Sequence, residues 1–194
     1  MGSGRYVAAE PPSHPAPWAL QLTKQIELFG AQVRQAEGMV VVPGGVGVDA
    51  LWQHAPGLIA AAVVDGFARV KKCTLEGRAA MSLDLQEISH ALVKVVAGGG
   101  VNTNEAHHEN RVRDKVERIT TALRLVDDYV KAFYVPLPEL GQWAEQHPGY
   151  THGQVMALAH CIAERSGMKK RRDIQEAVAA VERSLDGALR RPIG

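Results

Sequence analysis

The chain has 194 residues, of which 46% are hydrophobic and 22% are charged, and its formal net charge is +1. Such a length can bury a substantial core, and such a composition is typical of a folded protein rather than a disordered one. The near-neutral total lacks the strongly basic character of most nucleic-acid-binding domains. No stretch reaches the roughly 18 apolar residues of a membrane-spanning helix, and the N-terminus lacks the apolar segment of a signal peptide. We therefore expect a soluble chain.

The first half of the chain predicts a tail followed by three helices. Residues 1–16 are rich in Pro, Gly and Ala, a composition that favours disorder. Residues 17–97 form an N-terminal helical region, in which apolar residues recur with the helical period. A Gly-rich break, MVVVPGGVG, follows the first helix, and Pro56 predicts a kink or short break in the second. Thr74 is the predicted N-cap of the third, with Glu76 in its first turn.

The segment GGGVNTNEAHHEN, residues 98–110, predicts a flexible linker. Three consecutive glycines lose much backbone entropy when they are ordered. A C-terminal helical region, residues 111–191, follows it.

The C-terminal helical region opens with a heptad pattern, in which apolar residues are spaced 4-3-4-3-4-3. Its members are Val112, Val116, Ile119, Leu123, Val126, Val130 and Phe133. A seam this regular predicts one long helix that packs against a partner helix. The partner helix could belong to this chain or to another.

Three shorter helices are predicted after the heptad seam. Pro136 ends the seam helix, Thr151 is a predicted N-cap, and Gly167 is a predicted helix stop. The total is about six or seven helices with no confident strand, which indicates an all-α bundle or stack. Residues 17–191 are expected to form one domain.

One Gly-rich motif permits an alternative function. Within the Gly44–Gly47 loop and the residues after it, Gly45, Gly47 and Ala50 fit G-x-G-x-x-A. A dinucleotide site requires this motif inside a complete βαβ unit with an acid on the second strand. Asp65 has a suitable separation but lies in a helical pattern. An interhelical loop is the favoured interpretation, and a nucleotide-binding enzyme is the alternative.

Other residue types do not assemble into a reactive site. His107 and His108 are adjacent, but no H-E-x-x-H or paired C-x-x-C motif supplies a metal ligand set. Cys73 and Cys161 lie in apolar helical patterns, which predicts two small buried side chains in a reducing compartment. We predict no metal, no cofactor and no enzymatic activity.

Two groups of side chains could contact partners. The first is the basic run of Lys169, Lys170, Arg171 and Arg172, which is a candidate contact for a partner protein or for anionic lipid. A membrane-surface module that uses this run is the second alternative function. The other group consists of Tyr129, Phe133, Tyr134 and Trp143. Aromatic residues dominate binding hot spots, but in a helical cluster we expect them to be core.

Three collinear segments carry motifs of a known family. Residues 63–92 contain GFARVKKC and EGRAAMSLD, residues 125–159 contain YVKAFY, HPGY and QV, and residues 168–182 read MKKRRDIQEAVAAVE. A weaker similarity lies at LWQHAPGLI, residues 51–59. In this order, the segments resemble the C-terminal region of the syndetin family.

The resemblance implies the C-terminal domain of a helical-rod subunit in a multisubunit vesicle-tethering complex. Members of this family are subunits of the endosome-associated recycling protein complex, which is related to the Golgi-associated retrograde protein complex. It implies endocytic recycling and endosome-to-Golgi transport through contacts with other tethering subunits and SNARE proteins. The implied location is cytoplasmic, peripheral to recycling endosomes or the trans-Golgi network. Family members are far longer, so we expect a subunit or a C-terminal fragment of one.

Overall fold

The computed structural model describes residues 6–7, 10, 12–39, 46–98, 105–167 and 171–189. These ranges contain seven α-helices and no β-strand, which confirms the all-α prediction. The helices are Pro17–Met39 (α1), Val46–Ala68 (α2), Leu75–Ala97 (α3), Glu105–Ala132 (α4), Leu140–Gln146 (α5), His152–Arg165 (α6) and Arg171–Leu189 (α7). A short 3-10 helix, Leu137–Glu139, precedes α5.

Side-chain caps fix two of these helix starts. The Gly77 backbone N–H donates to Thr74 Oγ1 at 3.1 Å, so Thr74 caps α3 as predicted. At α6, the Gln154 N–H donates to Thr151 Oγ1 at 3.3 Å, and the Thr151 N–H donates to Gln154 Oε1 at 2.8 Å. This reciprocal pair is a capping box. Gly167, with φ of 76°, follows the end of α6 in the left-handed conformation that glycine adopts without strain.

The structure differs from the sequence prediction at Pro56. The alternative of a short break is wrong, because α2 continues through this residue from Val46 to Ala68. The alternative of a kink stays a prediction. Proline removes one backbone hydrogen bond from a helix interior. The buried apolar residues on both sides of Pro56, including Trp52, Ala60 and Val63, stabilise the helix across that position.

Helical and buried residues extend into two segments that the sequence predicts to be irregular. Within the predicted linker, residues 98–110, α4 begins at Glu105, because each residue added to a formed helix gains a backbone hydrogen bond. Within the predicted tail, residues 1–16, Tyr6 is fully buried, and its carbonyl accepts a 2.9 Å bond from the Thr74 N–H. The division of the chain into a tail, two helical regions and a linker stays a prediction.

Contacts between Cα atoms divide the chain into two compact units. Unit 1 comprises Met1–Pro12, Val63–Met81 and Asp128–Gly194. Unit 2 comprises Ser13–Ala62 and Ser82–Asp127. Each unit therefore combines segments that are distant in the sequence.

The core of unit 1 is aromatic and aliphatic. The Tyr6 ring meets the Phe67 ring edge-on at 5.9 Å, and Tyr129 meets Phe133 in the same way at 5.8 Å. Helix α7 packs against α5 and α6. Its buried residues, Val178, Val181 and Leu185, continue this core.

Unit 2 is held by apolar packing and a few polar contacts. Phe29 on α1 meets Trp52 on α2 with ring centroids 5.9 Å apart. The buried carboxylate of Asp84 accepts a 2.5 Å bond from the Ala16 N–H before α1. At the surface, Lys94 pairs with Glu27 at 2.7 Å, an exposed contact of small energetic value.

The heptad seam of α4 is covered mainly within the chain. Its last five members, Ile119, Leu123, Val126, Val130 and Phe133, are buried. Val112 and Val116, at its N-terminal end, are half-buried. The partner of most of the seam is therefore internal.

Candidate interaction surfaces

Three half-buried rings stack where α5 turns into α6 in unit 1. Trp143 stacks on His147 with centroids 4.5 Å apart, and on Tyr150 at 5.1 Å. The Trp143 carbonyl contacts His147 Nδ1 at 2.8 Å, which holds the imidazole against the indole. Because each ring is fixed by its neighbour, the group presents a preorganised aromatic surface.

Tyr129 anchors this aromatic group to α6. Its ring lies 5.6 Å from that of Tyr150, and its hydroxyl donates to the Gln154 carbonyl at 3.0 Å. The Gln154 side-chain amide donates to an Asp65 carboxylate oxygen at 2.7 Å, which connects α6 to the end of α2. Burial raises the pKa of the Tyr129 phenol. Its hydroxyl therefore stays protonated, and can donate this hydrogen bond, at pH values at which an exposed tyrosine ionises.

The prediction that the four aromatic residues are core is correct for only some of them. Tyr129 and Phe133 are buried, and Trp143 is half-buried. For Tyr134 the prediction is wrong, since it is 55% exposed. Tyr134 lies two residues after Ala132, the last residue of α4, where the chain turns, so its side chain leaves the face that the helix buries.

The ring of Tyr134 covers a buried guanidinium. Arg78 on α3 is only 4% exposed, and its guanidinium carbon lies 4.1 Å from the centre of the Tyr134 ring. Its Nε and Nη1 atoms are buried without a hydrogen-bond partner in the described ranges of the chain. Arg78 is not among the residues predicted from the sequence. The sequence feature that could have predicted its burial is its spacing, because Arg78 lies in register with the apolar stripe of Met81, Leu85 and Ile88.

The two cysteines meet in the core of unit 1, although they are far apart in the sequence. Both are free and buried, as predicted. Burial and the neighbouring Cys161 thiol raise the pKa of Cys73 from 9.0 to about 12. Burial also raises the pKa of Cys161, with an opposing contribution from a hydrogen bond of the Cys73 backbone. Because thiolates are the reactive form, both side chains act as apolar packing residues at neutral pH.

The predicted basic contact falls at the start of α7. Arg171 and Arg172 are exposed in the first helical turn, beside Asp173. Lys169 and Lys170 lie outside the described residues. The role of this run in binding a partner or lipid stays a prediction.

The structure places some of the Gly-rich motif in a helix. Helix α2 begins at Val46, so Gly47 lies in its first turn, and Gly44 and Gly45 fall outside the described residues. No strand occurs in the described ranges, so the βαβ unit that a dinucleotide motif requires is not found there. His107 and His108 belong to α4. Among the residues that the structure describes, no three His, Cys, Asp or Glu side chains cluster as metal ligands.

Helix α2 carries an exposed apolar stripe in unit 2. Leu51 and Leu58, one heptad apart, are 46% and 70% exposed. Ala55 and Ala62 complete the 4-3-4 spacing of this stripe, and both retain access to solvent. Exposed leucines in heptad register are typical of a face that packs against another helix. Of the helices in the described ranges, none is long and apolar enough to cross a bilayer.

Another opening in unit 2 is a cavity of about 540 Å³ between α2 and α4. Gln53 and Gly57 line one side, and Asp114, Glu117 and Arg118 line the other. These charged side chains are exposed and of both signs, as on an ordinary solvated surface.

In the described ranges the chain is all-α, with exposed leucines on α2 in unit 2 and a half-buried aromatic group in unit 1. The sequence matches the family described as Syndetin, C-terminal, over residues 1–179, and the chain belongs to that family. Similar proteins include syndetin of Mus musculus and of Rattus norvegicus, each 27% identical over 163 residues, and syndetin of Gallus gallus at 26%. The match covers 84% of this chain and 15% of each relative, so the chain spans about 15% of their length. No solved structure matches the chain.

Proposed function

We propose that this chain is a subunit, or the C-terminal portion of a subunit, of a multisubunit vesicle-tethering complex. It acts in endocytic recycling and endosome-to-Golgi transport, without enzymatic activity and without a cofactor. It works at recycling endosomes or the trans-Golgi network, as a peripheral component that contacts other tethering subunits and SNARE proteins. The observation that carries the proposal is membership of the Syndetin, C-terminal family across residues 1–179.

The exposed stripe of α2 supports the mode of action. Leu51 and Leu58 project from a helix that has very few charged residues. Removing such leucines from water by packing against a partner helix contributes about 25 cal/mol for each Å² of apolar surface buried. A subunit that assembles through helix faces requires a face of this kind.

Affinity purification of the tagged chain from cells tests the proposal. We expect tethering-complex subunits, identified by mass spectrometry, to co-purify with the chain. Leu58→Asp should reduce their recovery, because a carboxylate placed in an apolar interface loses its hydration. Thr120→Ala, an exposed change on α4, is the matched control and should leave recovery unchanged. Absence of every tethering subunit from the purified wild-type chain would contradict the proposal.

The basic run is a candidate membrane contact within the same function. Arg171 and Arg172 are exposed, and each cation near an anionic membrane surface contributes about 1 kcal/mol. We expect the chain to sediment with vesicles containing phosphatidylserine, and the variant with both arginines changed to glutamine to sediment less. Equal sedimentation with uncharged vesicles would discard this contact.

A further inference from the structure

Arg78 is a buried cation whose Nε and Nη1 donors have no partner among the described residues. A guanidinium carries five N–H donors, and buried charges in proteins are normally paired or hydrogen-bonded. Here the side chain is 4% exposed, and both Nε and Nη1 lack a partner among the described residues. The Tyr134 ring lies against the guanidinium but supplies no hydrogen-bond acceptor to Nε or Nη1. The arrangement is therefore incomplete.

The surroundings of Arg78 favour a negative ligand. Arg78 lies in the first turns of α3, whose N-terminal end carries a partial positive charge. Arg165 lies near Cys73, as Arg78 does, and its Nη2 donates to the Phe133 carbonyl at 2.8 Å. The nearby Glu164 carboxylate lies 3.5 Å from Lys72. In the portion of the chain that the structure describes, no acidic side chain accepts a hydrogen bond from Nε or Nη1 of Arg78, although Glu76 lies two residues before it.

The cover over the guanidinium belongs to the surface. Tyr134 is 55% exposed and lies over the guanidinium, so a rotation of this ring requires no repacking of the buried core. Tyr6, by contrast, is fully buried and cannot move without disturbing the core. Its carbonyl lies where a Cβ on Gly77 would be, next to Arg78 in the sequence. An incoming group therefore reaches Arg78 from the Tyr134 side.

We propose that Arg78 is an anchoring site for a carboxylate side chain, Asp or Glu, of a partner protein. A carboxylate is planar and accepts two N–H groups of a guanidinium at once, which suits a narrow site beneath a ring. A flat membrane surface does not reach a group that is this deeply covered. The inference rests on the proposed function, because it assigns the chemistry by which a partner of that complex is recognised.

The first test measures thermal unfolding of the purified full chain with sodium acetate as the probe, against sodium chloride at equal ionic strength. We expect acetate to raise the unfolding midpoint of the wild type by a few degrees and to leave Arg78→Met unchanged, since a ligand of the native state stabilises it. In chloride, Arg78→Met should unfold at the same temperature as the wild type or higher, because it removes an unpaired buried charge. Arg124→Met, an exposed change, should respond to acetate as the wild type does.

The other outcomes of this test overturn the site. Equal midpoints in acetate and chloride would mean that water satisfies Nε and Nη1. An equal acetate response in Arg78→Met would place the effect elsewhere. A response to inorganic phosphate or to phosphatidylserine vesicles, but not to acetate, would assign the site to phosphate or lipid instead.

The second test repeats the affinity purification with the same variants. We expect Arg78→Met to lose tethering subunits several-fold, while Arg124→Met recovers them as the wild type does. Undiminished recovery with Arg78→Met would overturn the anchor and leave the proposed function standing. If the wild-type chain recovers no subunit, the proposed function fails, and the acetate measurement still decides whether Arg78 binds a carboxylate.

Discussion

Tyr129 and Tyr134 are five residues apart and have the same side chain in opposite surroundings. Tyr129 is buried and donates its hydroxyl to the Gln154 carbonyl at 3.0 Å, whereas Tyr134 is more than half exposed. Tyr129 lies beside the seam residue Val130, on the side of α4 that is buried, whereas Tyr134 lies beyond the end of α4. Changing each tyrosine to phenylalanine removes only the hydroxyl and keeps the ring. The two variants therefore compare what a buried and an exposed hydroxyl contribute to the free energy of unfolding.

Tyr129→Phe is therefore expected to lower the free energy of unfolding by about 1 kcal/mol, since it removes a buried hydrogen bond. For a chain of this length, that corresponds to a fall of about 2–4 °C in the unfolding temperature. Tyr134→Phe, which changes an exposed residue, should shift it by much less. Calorimetry or circular dichroism measures both. Equal shifts in the two variants would show that the Gln154 contact has no net value.

Stability should decline at alkaline pH because of the buried thiol of Cys73. Its pKa is 9.0 when unperturbed and about 12 in the folded chain. At a pH between these two pKa values, the thiol loses its proton in the unfolded state but keeps it in the folded state, which favours unfolding. The stability of the fold is therefore fully retained below pH 9 and declines as the pH rises towards 12. Cys161 and Tyr129, whose pKa values are also raised, act in the same direction.

Urea unfolding at several pH values checks this expectation. We expect the loss to be on the order of 1 kcal/mol by about pH 10. Cys73→Ala should unfold with a shallower pH dependence, whatever its absolute stability. An identical slope in the variant would show that another group controls alkaline unfolding.

At the scale of the element, local chemistry sets where helices begin. The capping box of α6 satisfies the backbone N–H groups of Gln154 and Thr151. These two residues are only three positions apart, so the motif is visible in the sequence. Pro56 shows the opposite case. Its local preference predicts a kink or a short break, and α2, packed on both sides of this residue, continues without a break.

Thr151→Ala should lower stability by about 1 kcal/mol, because it leaves the first turn of α6 uncapped. The same change at Thr120, an exposed position within α4, should be neutral or slightly stabilising, since alanine has the higher helix propensity. Chemical unfolding of both variants makes the comparison. Equal effects at the two positions would contradict a capping role.

At the scale of the whole molecule, the two compact units do not follow the order of the chain. Unit 1 combines residues 63–81 with residues 128–194, and unit 2 combines residues 13–62 with residues 82–127. A division after residue 98 gives two fragments, and neither contains a complete unit. Expressing these two fragments separately therefore also tests the prediction that residues 17–191 form one domain.

We expect fragments 1–98 and 105–194 to lack cooperative unfolding when each is expressed alone, because each unit needs segments from both. Co-expressed, they should associate and recover the helical spectrum of the intact chain. Circular dichroism and size-exclusion chromatography give the readout. A fragment that unfolds cooperatively by itself would show that the chain contains a separable domain.

Much of the fold was predictable because its causes are local. The helical period, Thr74 and Thr151 as caps and Gly167 as a stop are all properties of neighbouring residues, and the structure has each of them. The candidate site was less predictable. The basic run is recognisable as charge alone, whereas the role of Tyr134 depends on Arg78, a residue 56 positions away.

By itself the sequence determined the helices, their caps and the family, since hydrophobic periodicity and motif order are encoded along the chain. Only the tertiary structure decided that Tyr6 is buried, that Cys73 and Cys161 meet, and that the Arg78 guanidinium lies against the Tyr134 ring. The reason is physical. Burial and pairing depend on which distant segments come together, and the sum of many weak contacts that selects them is not carried by any one stretch of residues.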